Sequence, residues 1–168
     1  MKHIERILVN CSRKDGIRPP RFCVRKMSPR IGAAFQWWKE TIVFNETYLH
    51  VPSITRKVYH EYEHWYQFTV DRDEYLFWNP VPEETDEFYL ECSHRGICPI
   101  ELDAQTFGQS LGEKNLRFLY RGISVQELEQ YKLTRDYSSL EAHLLETIRR
   151  CIYLVKIAGL SKNQVTST

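Results

Sequence analysis

The stretch VYHEYEHWYQF, residues 58–68, sets two histidines and two glutamates among five aromatic residues. Val58, Trp65 and Phe68 recur at helical spacing, and Ile54 extends the same pattern upstream. Pro52 and Ser53 stand where a helix would open, with Ser53 as the expected N-cap, and the pattern runs to about Val70. Aromatic packing accounts for Tyr59, Tyr62, Trp65, Tyr66 and Phe68, which should cover the helix on one side. It does not account for His60, Glu61 and His64 together. Residues four apart share a helix face. Two imidazoles so placed can reach one Zn²⁺ at about 2.0–2.1 Å. Glu61 stands beside them, in position to hold an attacking water and take its proton. A chain with six histidines meets this pattern by chance on the order of once in a hundred, so the motif needs support from its surroundings.

The surroundings are those of an α+β domain. IERILVN (4–10) and RFCVRKM (21–27) alternate apolar and polar residues and are expected as strands, with RKDGIRPP (13–20) as the turn between them. RIGAAFQWWKE (30–40) is expected as a short helix. ETIVFNETYLHV (40–51) is rich in β formers and is expected as a strand, with Ile42, Phe44 and Tyr48 facing inward. The acidic, aromatic segment from Asp71 to Phe88 is interrupted by Pro80 and Pro82 and reads as a long surface loop. PIELDAQTFGQSLG (99–112) reads as a helix. It has Pro99 at its start, Ile100, Ala104, Phe107 and Leu111 on one face, and Gly112 to end it. Ser124 and Glu127 form a capping box for another helix. The last helix, from Ser138, aligns Leu140, Leu144, Ile148, Cys151, Ile152 and Val155. The expected organisation is one domain over residues 1–160 and a polar tail over 161–168.

A catalytic zinc takes three protein ligands and keeps one position open. Downstream of His64, ELDAQTFG (101–108) offers a carboxylate on a helix. Here the chain resembles zinc metallopeptidases of the gluzincin type. In that group a strand precedes the His-Glu-x-x-His helix and a later helix supplies a glutamate, followed by a small residue and an aromatic. Ala104 and Phe107 match that later pattern, and the resemblance covers roughly residues 41–111. It implies a zincin-like fold, with a small mixed or antiparallel sheet packed on the motif helix and further helices after it. It also implies one Zn²⁺ per chain, His60 and His64 as ligands, Glu61 as general base, and Glu101 as third ligand. A position that is often acidic or Asn in the group is Gln105 here, which can still hydrogen-bond a ligand histidine.

The helical wheel leaves the third ligand open between Glu101 and Asp103, on opposite flanks of the apolar stripe, with Glu87, Glu91 and His94 as remote alternatives. The implied reaction is peptide hydrolysis on a peptide or protein substrate. The oxyanion donor is open among Tyr120, His143, His94 and Tyr89. The strand over 41–50 is expected to border the cleft and pair with an extended substrate. The acidic loop would rim it, either favouring basic substrates or simply solvated.

The remaining features limit the alternatives. A net charge of +1 in 168 residues gives no global field for nucleic acid. The basic residues Arg117, Arg121, Lys132, Arg135, Arg149 and Arg150 are interspersed with acids, so a helix-turn-helix over the C-terminal helices is disfavoured. A protein-binding module without catalysis would have no use for Glu61. CIYLVKIAGL (151–160) is short and carries Lys156, too little for a membrane span. Five scattered cysteines fit reduced thiols and a cytoplasmic location. Cys92, His94 and Cys98 lie close in sequence, but their spacing is not that of a zinc knuckle and a plain loop is expected there.

Overall fold

A computed structural model describes residues 1–79, 87–112, 123–146 and 149. They build a mixed α+β architecture of seven helical segments and one three-stranded sheet. In chain order these are α1 (Lys2–Asp15), β1 (Arg21–Arg25), β2 (Ala33–Gln36), β3 (Thr41–Asn45), α2 (Ile54–Val70), α3 (Arg72–Trp78), α4 (Glu87–His94), α5 (Pro99–Gln109), α6 (Val125–Thr134) and a helical stretch over 137–146. Among the described residues, one compact unit comprises Met1–Asn79 with Ala104–Gly112, and the rest belong to a second.

The N-terminal segment is a helix, not the expected strand. Ile4, Ile7, Leu8 and Cys11 are all buried and follow the i, i+3, i+4, i+7 spacing of one helix face. Seven residues of apparent alternation hid a fourteen-residue helical period. Gly16 closes α1 at φ 69°, and its N–H donates to the last-turn carbonyls. Arg13–Asp15 therefore belong to the helix rather than to the turn.

The sheet has the order β1-β3-β2, with β1 parallel and β2 antiparallel to β3. Ile42, Val43 and Phe44 are all buried because β3 is central and covered on both faces. Tyr48 lies beyond the strand, half-buried in a single 3₁₀ turn, Glu46–Tyr48. Residues 30–40 hold β2 and another 3₁₀ turn, Trp37–Lys39, instead of a short helix. Pairing of Phe35 with Ile42 and burial of its ring outweigh the helix preference of Ala33 and Ala34.

At the end of β3 the fully buried Asn45 holds the loop that enters β2. Its Nδ2 donates to the carbonyls of Ser28 (3.1 Å) and Ile31 (2.8 Å), and its Oδ1 accepts from the N–H groups of Met27 and Thr47.

Helix α2 lies against this sheet, with Trp65 and Phe68 on Phe35, and also buries Val58 and Tyr62. Phe35 meets Trp65, Phe68 and Tyr75 edge-on, with centroids 5.7–5.9 Å apart. Tyr62 Oη donates to Asp15 (2.8 Å) and the Trp65 indole to the Arg18 carbonyl (3.0 Å), which ties α1 and its exit to α2. Ser53 occupies the N-cap position, but at φ −69°, ψ −10° its hydroxyl makes no capping bond; the Ile54 N–H goes to the Val51 carbonyl.

The segment read as one long loop contains α3. Asp71 caps it through the Glu74 N–H, and Tyr75 and Trp78 are buried. Residues 80–86 lie outside the described residues. Residues 87–94, partly read as loop, form α4, and Gly96 (φ 66°) makes the turn after it.

In the second unit, Phe88 stacks on Tyr137 and buries with Cys92, Leu128, Leu140 and Leu144. The capping box of Ser124 and Glu127 is present at α6. Ile148, Cys151, Ile152, Val155 and the tail over 161–168 lie outside the described residues. No helix of the described residues is long and apolar enough to cross a membrane.

Candidate metal centre

One turn of α2 brings His60 and His64 together. Their Nε2 atoms are 3.2 Å apart and their rings stand edge-to-face at 4.8 Å. Two nitrogens held tetrahedrally at 2.0–2.1 Å from one ion would be separated by about 3.3–3.4 Å, so this spacing fits two corners of a metal tetrahedron. The orientation of His64 has a cause. Its Nδ1 meets Gln67 Oε1 at 3.1 Å inside the protein, and an N–H there leaves the Nε2 lone pair for a ligand.

Helix α5 supplies the third group. A carboxylate oxygen of Glu101 lies within 4.8 Å of the ligand nitrogens of both histidines. Among the described residues this is the one set of histidine, cysteine and acidic side chains arranged to hold a metal ion. Asp103, the alternative third ligand, is buried and is not part of the group. Cys92, His94 and Cys98 do not form such a group either.

Close approach of α5 to α2 depends on Gly108. A Cβ there would come within 2.8 Å of the Arg56 carbonyl oxygen and 3.2 Å of the His60 Cβ. Phe107 packs beside it against Tyr59 and Tyr62. Gly112, at φ 90°, ends the segment, although Leu111 is exposed rather than on the buried face.

Glu61 is 93% buried and borders a cleft of about 360 Å³ that also touches His60, Gln105 and Gly108. The cleft contradicts the expectation that β3 borders it with a free edge. Its strand-side wall is Ile31, Gly32 and Ala33, at the entry to β2. Strand β3 has β1 on one side and β2 on the other, so its backbone is already paired. Its rim is basic, from Arg30, Arg56 and Lys57, and none of residues 71–79 lines it.

Gln105 lines the cleft, while the side chain that bonds the ring of His64 is Gln67. The sequence held the signal for Gln67, since it stands three residues after His64 on the same helix. Tyr75, from the segment read as loop, packs edge-on to His64 at 6.1 Å, so the aromatics are not confined to the side away from the site. His143 meets Tyr131 (3.2 Å), and Glu87 and Glu91 pair with Arg135 and Arg95 on exposed surface. His94 is exposed at the end of α4. Tyr120 and the side chain of Tyr89 lie outside the described residues.

No protein-family model, curated protein or solved structure matches this chain.

Proposed function

We propose that this chain is a zinc-dependent peptidase on a zincin-like scaffold, with His60, His64 and Glu101 as ligands and Glu61 as general base. One observation carries the reading: two imidazole nitrogens 3.2 Å apart share a 4.8 Å cluster with a carboxylate, beside a glutamate that opens onto a cleft. Two histidines and one carboxylate are the donor set of many catalytic zinc sites, with a fourth position free for water and substrate. A zinc ion held there would supply Lewis acidity to the scissile carbonyl and lower the pKa of water to about 7.

The chain's own groups do the rest. Glu61 takes a proton from the attacking water and returns it to the leaving amine. Its burial shields that exchange from bulk solvent. Gln67 keeps His64 in the tautomer that presents Nε2. Substrate alignment falls to β2. Its pairing with β3 places Gly32, Ala34 and Gln36 in the hydrogen-bonded register. The N–H and C=O groups of Ala33 and Phe35 therefore point to the outer edge, where an extended peptide can pair.

Elemental analysis of the purified protein tests the metal half, with about one Zn²⁺ per chain expected. Replacing the base as Glu61→Gln should leave that zinc in place and cut peptide hydrolysis by about 10²–10⁴. A wild type that binds zinc and a protein partner but cuts nothing would make the chain a binding module.

A further inference from the structure

The cleft is more basic than the chain as a whole. Among the described residues, Arg30, Arg56 and Lys57 line it against a single carboxylate, Glu61, whereas the whole sequence has a net charge of only +1. The cations are built into the wall. Arg56 precedes His60 by four residues and Lys57 precedes Glu61 by four, so both stand one turn, about 6 Å, up the same faces of α2. Lys57 lies across Gly32: a Cβ on that glycine would come within 2.6 Å of the lysine Cε. The missing side chain is the groove in which the lysine stem rests, and its ammonium sits 5.9 Å from the Tyr48 ring. Arg30 comes from the loop whose backbone Asn45 holds.

We infer that Arg30, Arg56 and Lys57 form a carboxylate-recognition subsite that selects acidic peptides for the cleft. This rests on the peptidase reading for its consequence, but the recognition stands on the cleft alone. An extended peptide advances about 3.3–3.6 Å per residue. A carboxylate seated one helical turn from Glu61 therefore belongs to a residue about two positions from the bond being cut, or to a chain terminus at that distance. Arginine offers paired donors that match a carboxylate, and lysine adds a point charge. The outer edge of β2, unpaired among the described residues and beside the cations, favours a peptide over a nucleic acid, which would need a longer basic track.

Metal itself attracts carboxylates, so the test uses EDTA-treated Glu61→Gln protein as well as protein loaded with ZnCl₂. Fluorescence anisotropy would compare an amidated peptide containing Asp and Glu with its Asn/Gln counterpart, a lysine counterpart, and the Asn/Gln peptide with a free C-terminus. Tighter binding of the acidic peptide by about tenfold is expected without metal, and should fall severalfold in each of Arg56→Gln and Lys57→Gln. Gly32→Ala, which displaces the lysine stem but leaves its charge, should lower the preference too. A gain for the free C-terminus alone would assign the subsite to terminal carboxylates; a gain for the internal acids assigns it to side chains.

Equal binding of acidic, neutral and lysine peptides would overturn the inference. So would a preference that survives in Arg30→Gln/Arg56→Gln/Lys57→Gln, or a single-stranded oligonucleotide that outcompetes every peptide. If the carboxylate preference holds but the zinc-loaded wild type cleaves none of these peptides, the recognition stands and the peptidase reading fails.

Discussion

Two stretches of this chain crowd metal-ligating side chains into a few positions, and only one assembles them. His60, Glu61 and His64 lie on continuous helix, so their spacing is converted into a shared face with the two Nε2 atoms 3.2 Å apart. Cys92, His94 and Cys98 straddle the end of α4 and the turn at Gly96. The two cysteines turn into the core while His94 stays exposed. Burial, and after it the nearby Glu101 carboxylate, pushes the Cys98 thiol well above the usual cysteine range. Ligand-type residues close in sequence make a site only where the backbone period brings their donor atoms together.

The largest expected effect breaks that contrast at its strong end. His60→Ala/His64→Ala should abolish stoichiometric zinc, and Cys92→Ala/Cys98→Ala should retain it, both read by elemental analysis of folded protein. Zinc lost from the cysteine variant alone would move the site to the other stretch.

Next in size is the third ligand. Glu101→Ala should weaken zinc binding by at least about tenfold in a competition titration, as loss of one of three ligands implies. Asp103→Ala should cost stability rather than zinc affinity. The opposite result would transfer the ligand role to Asp103.

A third variant sharpens the comparison by leaving every ligand intact. Gly108→Ala meets the Arg56 carbonyl, which cannot swing aside as a side chain can. Forcing α5 away from α2 should destabilise the fold by about 1–3 kcal/mol on denaturant titration and weaken zinc binding as well. Unchanged stability and affinity would mean that the two helices tolerate separation.

The smallest effect is a control in the second unit. The Ser124 N–H, and then the Ser124 hydroxyl, hold the Glu127 carboxyl below its ordinary pKa. A depressed pKa contributes stability above the unfolded value, and that contribution fades as pH falls through the folded one. Ser124→Ala should therefore lower Tm slightly near neutral pH, with the difference shrinking in acid, and should leave zinc content unchanged.

Legibility in the sequence followed the same logic as site formation. Helix α2 was readable from its helical period, α5 from Pro99 at its start, and α6 from its capping box. Helix α1 was not, because Ile4, Ile7, Leu8 and Val9 crowd apolar residues into a short run that also suits a strand. Strand β2 exists through its partner, since Ala-Ala-Phe-Gln has little strand preference of its own. Helix α3 was hidden behind acidic residues and downstream prolines, although Tyr75 and Trp78 stand three apart. The grouping of His60, His64 and Glu101 could be anticipated from spacing and resemblance. The basic wall could not, because Arg30 reaches the cleft through tertiary structure alone.

Asn45 fixes what kind of wall that is. One buried amide satisfies backbone groups at Met27, Ser28, Ile31 and Thr47, so the chain carrying Arg30 is already confined before any ligand arrives. Ordering an interface costs about 0.5–1.5 kcal/mol for each flexible side chain immobilised, and a wandering loop would add backbone entropy to that. Here the backbone share of that entropy is lost during folding, once, rather than at every encounter.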